Sequence, residues 1–316
     1  MSACAEKGGE HMNFMKKRYI LTEGLHSSEL RGKILQWLDR CVTDTPKAYF
    51  DNDEVKSFST VSGDVHTYSH QDFTGRDAYI LQEMADDPWQ DLASVCISAQ
   101  NLKSKNARSV TAIVPVWKLG WHGKGGLNNP DVTGSHKLTA GMLASSGVDR
   151  LVTLTPLPDM FSPLYPVKIE VPDISQRLIE RFCYKGPTDM LIVVDERDAI
   201  PYAELLSRKT GFPVVQCSQL WDWRYLIPDM YAHNVLLFTN RFSSRLLSIA
   251  KPFAEHGSRI ICYAPRIERP DELSEGVYQY IESFITLDPA YHEPFQVLPV
   301  DQIIAEWIIT DRLEKT

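Results

Sequence analysis

The chain has 316 residues, 43% of them hydrophobic, enough for two domains of ordinary size that each bury a core of their own. A formal charge of -8 without any Lys/Arg-rich block gives no electrostatic basis for binding nucleic acid or an acidic membrane, which leaves small molecules or protein partners as the expected ligands. The six cysteines (Cys4, Cys41, Cys96, Cys183, Cys217, Cys262) form no C-x-x-C pair and no Cys/His cluster at metal spacing, and read as reduced thiols. No apolar run reaches the roughly 18 residues of a membrane span and the N-terminus lacks a secretory apolar core, so a cytoplasmic protein is expected.

Residues 1–16 read as a disordered N-terminal segment, since the first eleven carry no apolar period. Lys7-Gly8-Gly9 can be encoded by a purine run resembling a bacterial ribosome-binding sequence, which makes Met12 a candidate start beside Met1. From there, short β-rich apolar runs alternate with longer stretches of helical period, the pattern of an α/β protein whose mainly parallel sheets are flanked by helices. Strands are expected at 18–22, 77–82, 109–117 and 150–155 in the first half, and at 190–195, 213–217, 234–239, 259–263 and 283–287 in the second. Helices are expected at 27–41, 89–105, 135–146, 173–183, 199–210, 242–256 and 300–312. In the fourth of these Ile174, Leu178, Ile179 and Phe182 share one face, with Asp173 as N-cap. Two long irregular stretches, 118–133 with four glycines and the aromatic-rich 218–233, interrupt the order and read as functional loops, insertions or lids.

The segment 109–154, SVTAIVPVWKLGWHGKGGLNNPDVTGSHKLTAGMLASSGVDRLVTL, resembles the central part of phosphoribosyl pyrophosphate synthetases. There an I-P-Y strand end leads to a G-Y-A-R-Q-D-R loop, an I-T-A-K helix, G-x-x-R-V and a D-L-H strand end. Upstream, the run from Tyr49 to Val55 is similar to the family's R-F-S-D-G-E-V adenine-recognition segment, and the run from Gly75 to Gln82 to its G-x-D-x-Y-I-I-Q strand. The resemblance, collinear from Tyr19 to Arg312, implies two phosphoribosyltransferase-like domains, at 17–165 and 166–300. A C-terminal helix at 301–316 would pack back on the first domain, as in the family. It also implies ATP and ribose 5-phosphate as ligands, sought beyond the carboxyl ends of the strands.

Against that pattern the catalytic motifs are altered. The D-L-H that supplies a metal-site histidine is replaced by Thr155-Pro156-Leu157, and an apolar Leu157 binds neither metal nor its water. The ribose-phosphate motif D-D-x-x-D-T-x-G-T becomes Thr239-Asn240-Arg241-Phe242-Ser243-Ser244-Arg245, without an acid. Arg241, Ser243, Ser244 and Arg245 at a helix N-terminus still suit a phosphate-like anion, or else form a polar capping turn. The pyrophosphate loop P-D-x-G-G corresponds to Asp195-Glu196-Arg197-Asp198-Ala199, which has lost both glycines and reads as a solvated turn with Asp198 as N-cap. Only a displaced Arg224 stands near the family's K-R-R, beside Trp221 and Trp223.

Nucleotide recognition is less damaged. Phe50, Asn52 and Glu54 match the adenine-recognition positions, with an amide for an aspartate at Asn52. Trp121, His122 and Lys124 stand near the family's R-Q-D, where they would stack on adenine or meet phosphate, and Lys137 matches the lysine of I-T-A-K; His136 reads as a surface histidine. Joint loss of the metal, ribose and pyrophosphate motifs implies a non-catalytic or regulatory homologue that retains nucleotide or phosphate binding. A sugar phosphate or nucleotide is the expected ligand, and another copy or an active paralogue the expected partner. The alternatives are an enzyme with a rebuilt site for a phosphorylated sugar or nucleotide, or an active ribose-phosphate diphosphokinase. No cofactor follows from the residues; Mg²⁺ with ATP follows from the resemblance if catalysis survives.

Overall fold

The computed structural model describes residues 19–41, 50–51, 56–60, 64–69, 72–119, 130–155, 165–182, 190–195, 199–217, 234–242, 245–267, 275–288 and 293–314. In chain order they form β1 (Tyr19–Glu23), α1 (Ser28–Cys41), β2 (Phe50–Asp51), β3 (Lys56–Ser59), β4 (Val65–Tyr68), β5 (Asp77–Leu81), α2 (Pro88–Ser104), β6 (Ser109–Ile113), α3 (Pro130–Ser145), β7 (Arg150–Val152) and β8 (Lys168–Glu170). There follow α4 (Ser175–Phe182), β9 (Met190–Val194), α5 (Ile200–Thr210), β10 (Val214–Gln216), β11 (Asn234–Phe238), β12 (Arg241–Phe242), α6 (Arg245–Glu255), β13 (Arg259–Tyr263), β14 (Arg266–Ile267), α7 (Glu275–Tyr280), β15 (Ser283–Thr286), β16 (Phe295–Val297) and α8 (Val300–Glu314).

The chain divides into two compact units, the first from 1–153, 159–172 and 300–316, the second from 154–158 and 173–299. The first holds a six-stranded parallel sheet in the order β2-β1-β5-β6-β7-β8. The second holds another, in the order β10-β9-β11-β13-β15-β16. Central strands such as β5 and β9 are buried along their whole length, as sheets covered on both faces require. The core of the second unit closes over Phe242, Phe284 and Phe295, whose ring centroids lie 5.4 to 5.5 Å apart. Each such buried side chain stabilises the fold by about 2 kcal/mol.

In the first unit α8 returns to α1 and is fixed to the sheet by one carboxylate. Asp311 accepts hydrogen bonds from Arg150 Nη1 at 2.7 Å, from Arg150 Nη2 at 2.8 Å and from Tyr79 Oη at 2.7 Å. Arg150 lies over the Trp307 ring, 5.3 Å from its centroid, and also donates to Thr111 Oγ1. Burial works against the Arg150 charge, but Asp311 and Glu170 overcome it and hold the pKa above its ordinary value.

The structure departs from the sequence expectations in specific places. Strand β6 stops at Ile113 rather than 117, because Pro115 has no N–H for the ladder, yet residues 114–117 stay buried and so keep an apolar pattern. Helix α3 begins at Pro130, five residues before the expected start, with proline in the first turn where its missing donor costs nothing. Phe242 lies in β12, paired through Arg241↔Arg266 with β14, and the helix expected from 242 begins at Arg245. The antiparallel β3–β4 hairpin and the six-residue α7 were not expected at all.

Candidate ligand site at the strand ends of the second unit

Parallel strands deliver their carboxyl ends to one edge, where ligands of open α/β sheets gather. Here β10 runs into Cys217, β9 into Asp195, β11 into Thr239-Asn240, β13 into Ala264-Pro265-Arg266 and β15 into Leu287-Asp288. Asp195 is buried and meets Nε of Arg245, the first residue of α6, at 3.1 Å, an ion-pair contact without hydrogen-bond alignment. Burial pushes the Cys217 thiol up to about 12, Asp195 adding to the rise and Arg245 opposing it, so the thiol is not a nucleophile near neutral pH. Asn240 is 1% exposed, and neither its Oδ1 nor its Nδ2 has a hydrogen-bond partner among the described residues. Arg266 is buried at 3% exposure and Asp288 at 2%.

Comparison with known proteins follows the same line. Residues 20–147 match the family model for the N-terminal domain of ribose phosphate pyrophosphokinase. A ribose-phosphate pyrophosphokinase of Porphyromonas gingivalis is 24% identical over 251 residues, covering 74% of this chain and 79% of its own length. A Listeria monocytogenes relative bearing the name ribose-phosphate pyrophosphokinase 2 is 22% identical over 165 residues, 51% of each protein, so this chain spans about half the length of that relative. The crystal structure of phosphoribosylpyrophosphate synthetase from Mycobacterium smegmatis superposes with a TM-score of 0.71 at 17% identity, over 94% of this chain and 99% of that one, and shows a common fold. The chain is thus similar to phosphoribosyl pyrophosphate synthetases, by family model over residues 20–147 and by fold over most of its length.

Several residues singled out by the resemblance to those synthetases lie outside the described residues: Asn52, Glu54, Trp121, His122, Lys124, Leu157, Glu196, Arg197, Asp198, Ser243, Ser244 and the stretch 218–233. Phe50 is placed by its backbone in β2, paired with Tyr19 of β1, and Arg241 by its backbone in β12. Lys137 is exposed on α3 and makes no ion pair among the described residues. His136 is a correction: it is buried, not on the surface, and its Nδ1 lies 3.1 Å from Tyr165 Oη, which also lies 3.0 Å from Thr139 Oγ1. The turn after β9 is another, since Asp195 is buried against Arg245 and the residue before α5 is Ala199, which makes no side-chain cap. Asp195 after β9 and Arg245 at the start of α6 thus meet at one edge.

At the matching edge of the first unit, Gln82 organises the loops. Its Nε2 donates to Leu25 O at 2.8 Å and Asp91 Oδ1 at 3.0 Å, while its Oε1 accepts from Leu25 N at 3.1 Å. A Cβ on Gly24 would fall 1.8 Å from Gln82 Oε1, so any larger residue there has to displace the Gln82 carboxamide. Asp91 Oδ2 accepts from Ala85 N at 2.7 Å, and burial raises its carboxyl to about 6. The sequence pointed to Gln82 through the G-x-D-x-Y-I-I-Q resemblance and to Asn240 through the altered ribose-phosphate motif; nothing pointed to Asp91, Arg266 or Asp288, which are polar residues next to apolar runs.

Mg²⁺, which the synthetase family pairs with ATP, wants near-octahedral oxygen ligation. The second unit's edge offers Asp195, already against Arg245, a carboxamide at Asn240, and two cations, the exposed Arg245 and the buried Arg266. Asp288 follows β15, three strand spacings from β9, roughly 14 Å and too far to share an ion with Asp195. These residues do not fit a resident Mg²⁺.

Proposed function

We propose that this protein is a non-catalytic or regulatory homologue of the phosphoribosyl pyrophosphate synthetases that binds a phosphorylated ligand at the carboxyl edge of its second sheet. The observation that supports it is the chemistry at the end of β11. Where the resemblance expects ribose-holding acids, buried Thr239 and Asn240 stand, and the neighbouring Asp195 is engaged by Arg245. Arg241, Ser243, Ser244 and Arg245 provide the phosphate contacts, and Phe50, Asn52, Glu54, Trp121, His122, Lys124 and Lys137 the nucleotide contacts, the protein working in the cytoplasm as an oligomer or with an active paralogue. The domain limits proposed are 17–165, 166–300 and the closing helix 301–316.

The test is a coupled assay of AMP release from ATP and ribose 5-phosphate with Mg²⁺, alongside calorimetric titration with inorganic phosphate. No AMP above background is expected, with phosphate binding lost in Arg241→Glu/Arg245→Glu. Turnover above about 1 s⁻¹, within the usual enzyme range, would refute the reading.

A further inference from the structure

A carboxyl group withdrawn from water keeps its negative charge only where cations or several donors replace the lost hydration. Asp91, in the first turn of α2, is 2% exposed and accepts from Gln82 Nε2 at 3.0 Å and from Ala85 N at 2.7 Å. Both donors are neutral, and Asp91 makes no ion pair among the described residues. The contacts of Gln82 add a second, independent demand. Leu25 N donates to its Oε1, which fixes the orientation of the amide and turns Nε2 toward three acceptors: Leu25 O at 2.8 Å, Glu83 O at 2.7 Å and Asp91 Oδ1 at 3.0 Å. An amide nitrogen has only a pair of hydrogens for all of them. An ionised Asp91 competes with the main-chain carbonyls for these hydrogens, whereas a protonated one gives up most of its claim and leaves both to the carbonyls, which are the nearer acceptors. Those carbonyls belong to the loops that follow β1 and β5. Ser27 Oγ ties the same loops together, accepting from Glu83 N at 2.8 Å and donating to Leu25 O at 3.1 Å.

We propose that Asp91 and Gln82 form a proton-operated latch at the carboxyl edge of the first sheet, which holds the loops 24–27 and 83–87 firmly while Asp91 is protonated and loosens them when it ionises. The charged and titratable groups that act on Asp91 come from three elements. Asp87, at the N-cap of its own helix, favours the proton; His26, in the loop after β1, and Lys118, in the segment after β6, favour the anion. Burial outweighs the two cations and raises the carboxyl from 3.8 to about 6. Once the loops open, the carboxyl regains water and its ordinary value. Opening therefore grows more frequent as pH rises from 3.8 toward 6, and levels off above that. The latch lies in the first unit and does not depend on the phosphate-binding reading of the second.

Hydrogen–deuterium exchange of the full chain, followed by NMR at single amides and divided by the intrinsic rate at each pH, tests this. The opening of Leu25, Glu83 and Ala85 should increase by about 30- to 100-fold between about pH 4 and pH 6 and then stay level. Ile192 in β9 of the second unit should change by less than about threefold over the same range. At every pH the loop amides should exchange faster than Tyr79 in β5, since the latch opens without unfolding the sheet. Asp91→Asn carries an N–H in place of the titrating proton, and its loop amides should keep the protection of the wild type at pH 4 throughout. A ¹³C titration of the wild-type aspartate carboxyls gives a readout that does not depend on that variant folding: one resonance should have its midpoint near 6. A flat wild-type profile, the wild-type slope retained in Asp91→Asn, loop amides that exchange at the rate of Tyr79, or no aspartate carboxyl titrating above about pH 5 would each overturn the inference.

Discussion

Replacing Asp311 by alanine should destabilise the first unit by about 3 kcal/mol, and the structure shows where that figure comes from. Asp311 is 6% exposed and its two oxygens accept three hydrogen bonds, two from the Arg150 fork and one from Tyr79. Removing one member of a buried ion pair costs about 3 to 5 kcal/mol, mostly through the charge left behind. The lower end applies, because Glu170 Oε1 stays 3.2 Å from Arg150 Nη1 and carries part of the neutralisation. At about 2 to 4 °C per kcal/mol for a unit of this size, the melting transition of the first unit should fall by roughly 6 to 12 °C in differential scanning calorimetry. The double variant Arg150→Met/Asp311→Leu removes both charges and should recover at least half of the loss; what persists is the Tyr79 hydroxyl without its acceptor, about 1 kcal/mol. A loss below about 1 kcal/mol in Asp311→Ala, or a double variant no better than the single, would refute the view that a buried unpaired charge sets the cost.

Asp91 gives a pH signature: its carboxyl is raised by burial from 3.8 to about 6, so between those values the folded state holds the proton and the unfolded state does not, and stability falls as pH rises through that window and levels off above it. The fall is about 3 kcal/mol at most, and urea midpoints from pH 4 to 7 should show it in the wild type and not in Asp91→Asn; parallel pH profiles would count against it. Gly24→Ala should disrupt the Gln82 hub and cost more than 1 kcal/mol in the same urea assay, because the added Cβ meets Oε1 at 1.8 Å; a neutral effect would mean that Gln82 swings away freely. Sedimentation is expected to give a dimer or larger species, in keeping with the Phe58 and Tyr68 rings exposed on the β3–β4 hairpin, whereas a monomer alone at micromolar concentration would contradict it.

What the sequence made legible was set by how far each structural cause lies along the chain. Met190 to Val194 announces a strand because both of its faces are buried, and every residue in it is apolar for that reason. The β3–β4 hairpin does not, because its inner face is held by hydroxyls: Ser57 Oγ lies 3.2 Å from Thr67 Oγ1 and 3.3 Å from Ser98 Oγ, contacts that leave no apolar alternation. Two-residue strands such as β12 and β14 have no period to read. His136 looked like a surface residue because its partner, Tyr165, is 29 residues away, and nothing local signals that the helix face it occupies is covered. Asn240 follows the same logic, since a polar residue after an apolar run reads as a loop, and only the neighbouring strand ends bury it.

The edge of the second sheet can be read as a problem in charge. The ladder pairs Phe238 with Val194, so Thr239 stands opposite Asp195 and position 240 lies one residue further along a strand about 5 Å away. At an effective dielectric of about 20, two carboxylates about 7 Å apart at this edge would repel by about 2 kcal/mol, a bias toward protonation of one or toward a cation. An amide at that position removes the repulsion, and a single guanidinium, Arg245, then suffices to neutralise Asp195. The amide at Asn240 and the arginine against Asp195 each lower the pull of this edge on a divalent cation. Binding needs no such cation, for an anion can be met by guanidinium and helix N-terminus alone. On the proposed function, the residues that weigh against diphosphoryl transfer are therefore compatible with binding of a phosphorylated ligand at the same edge.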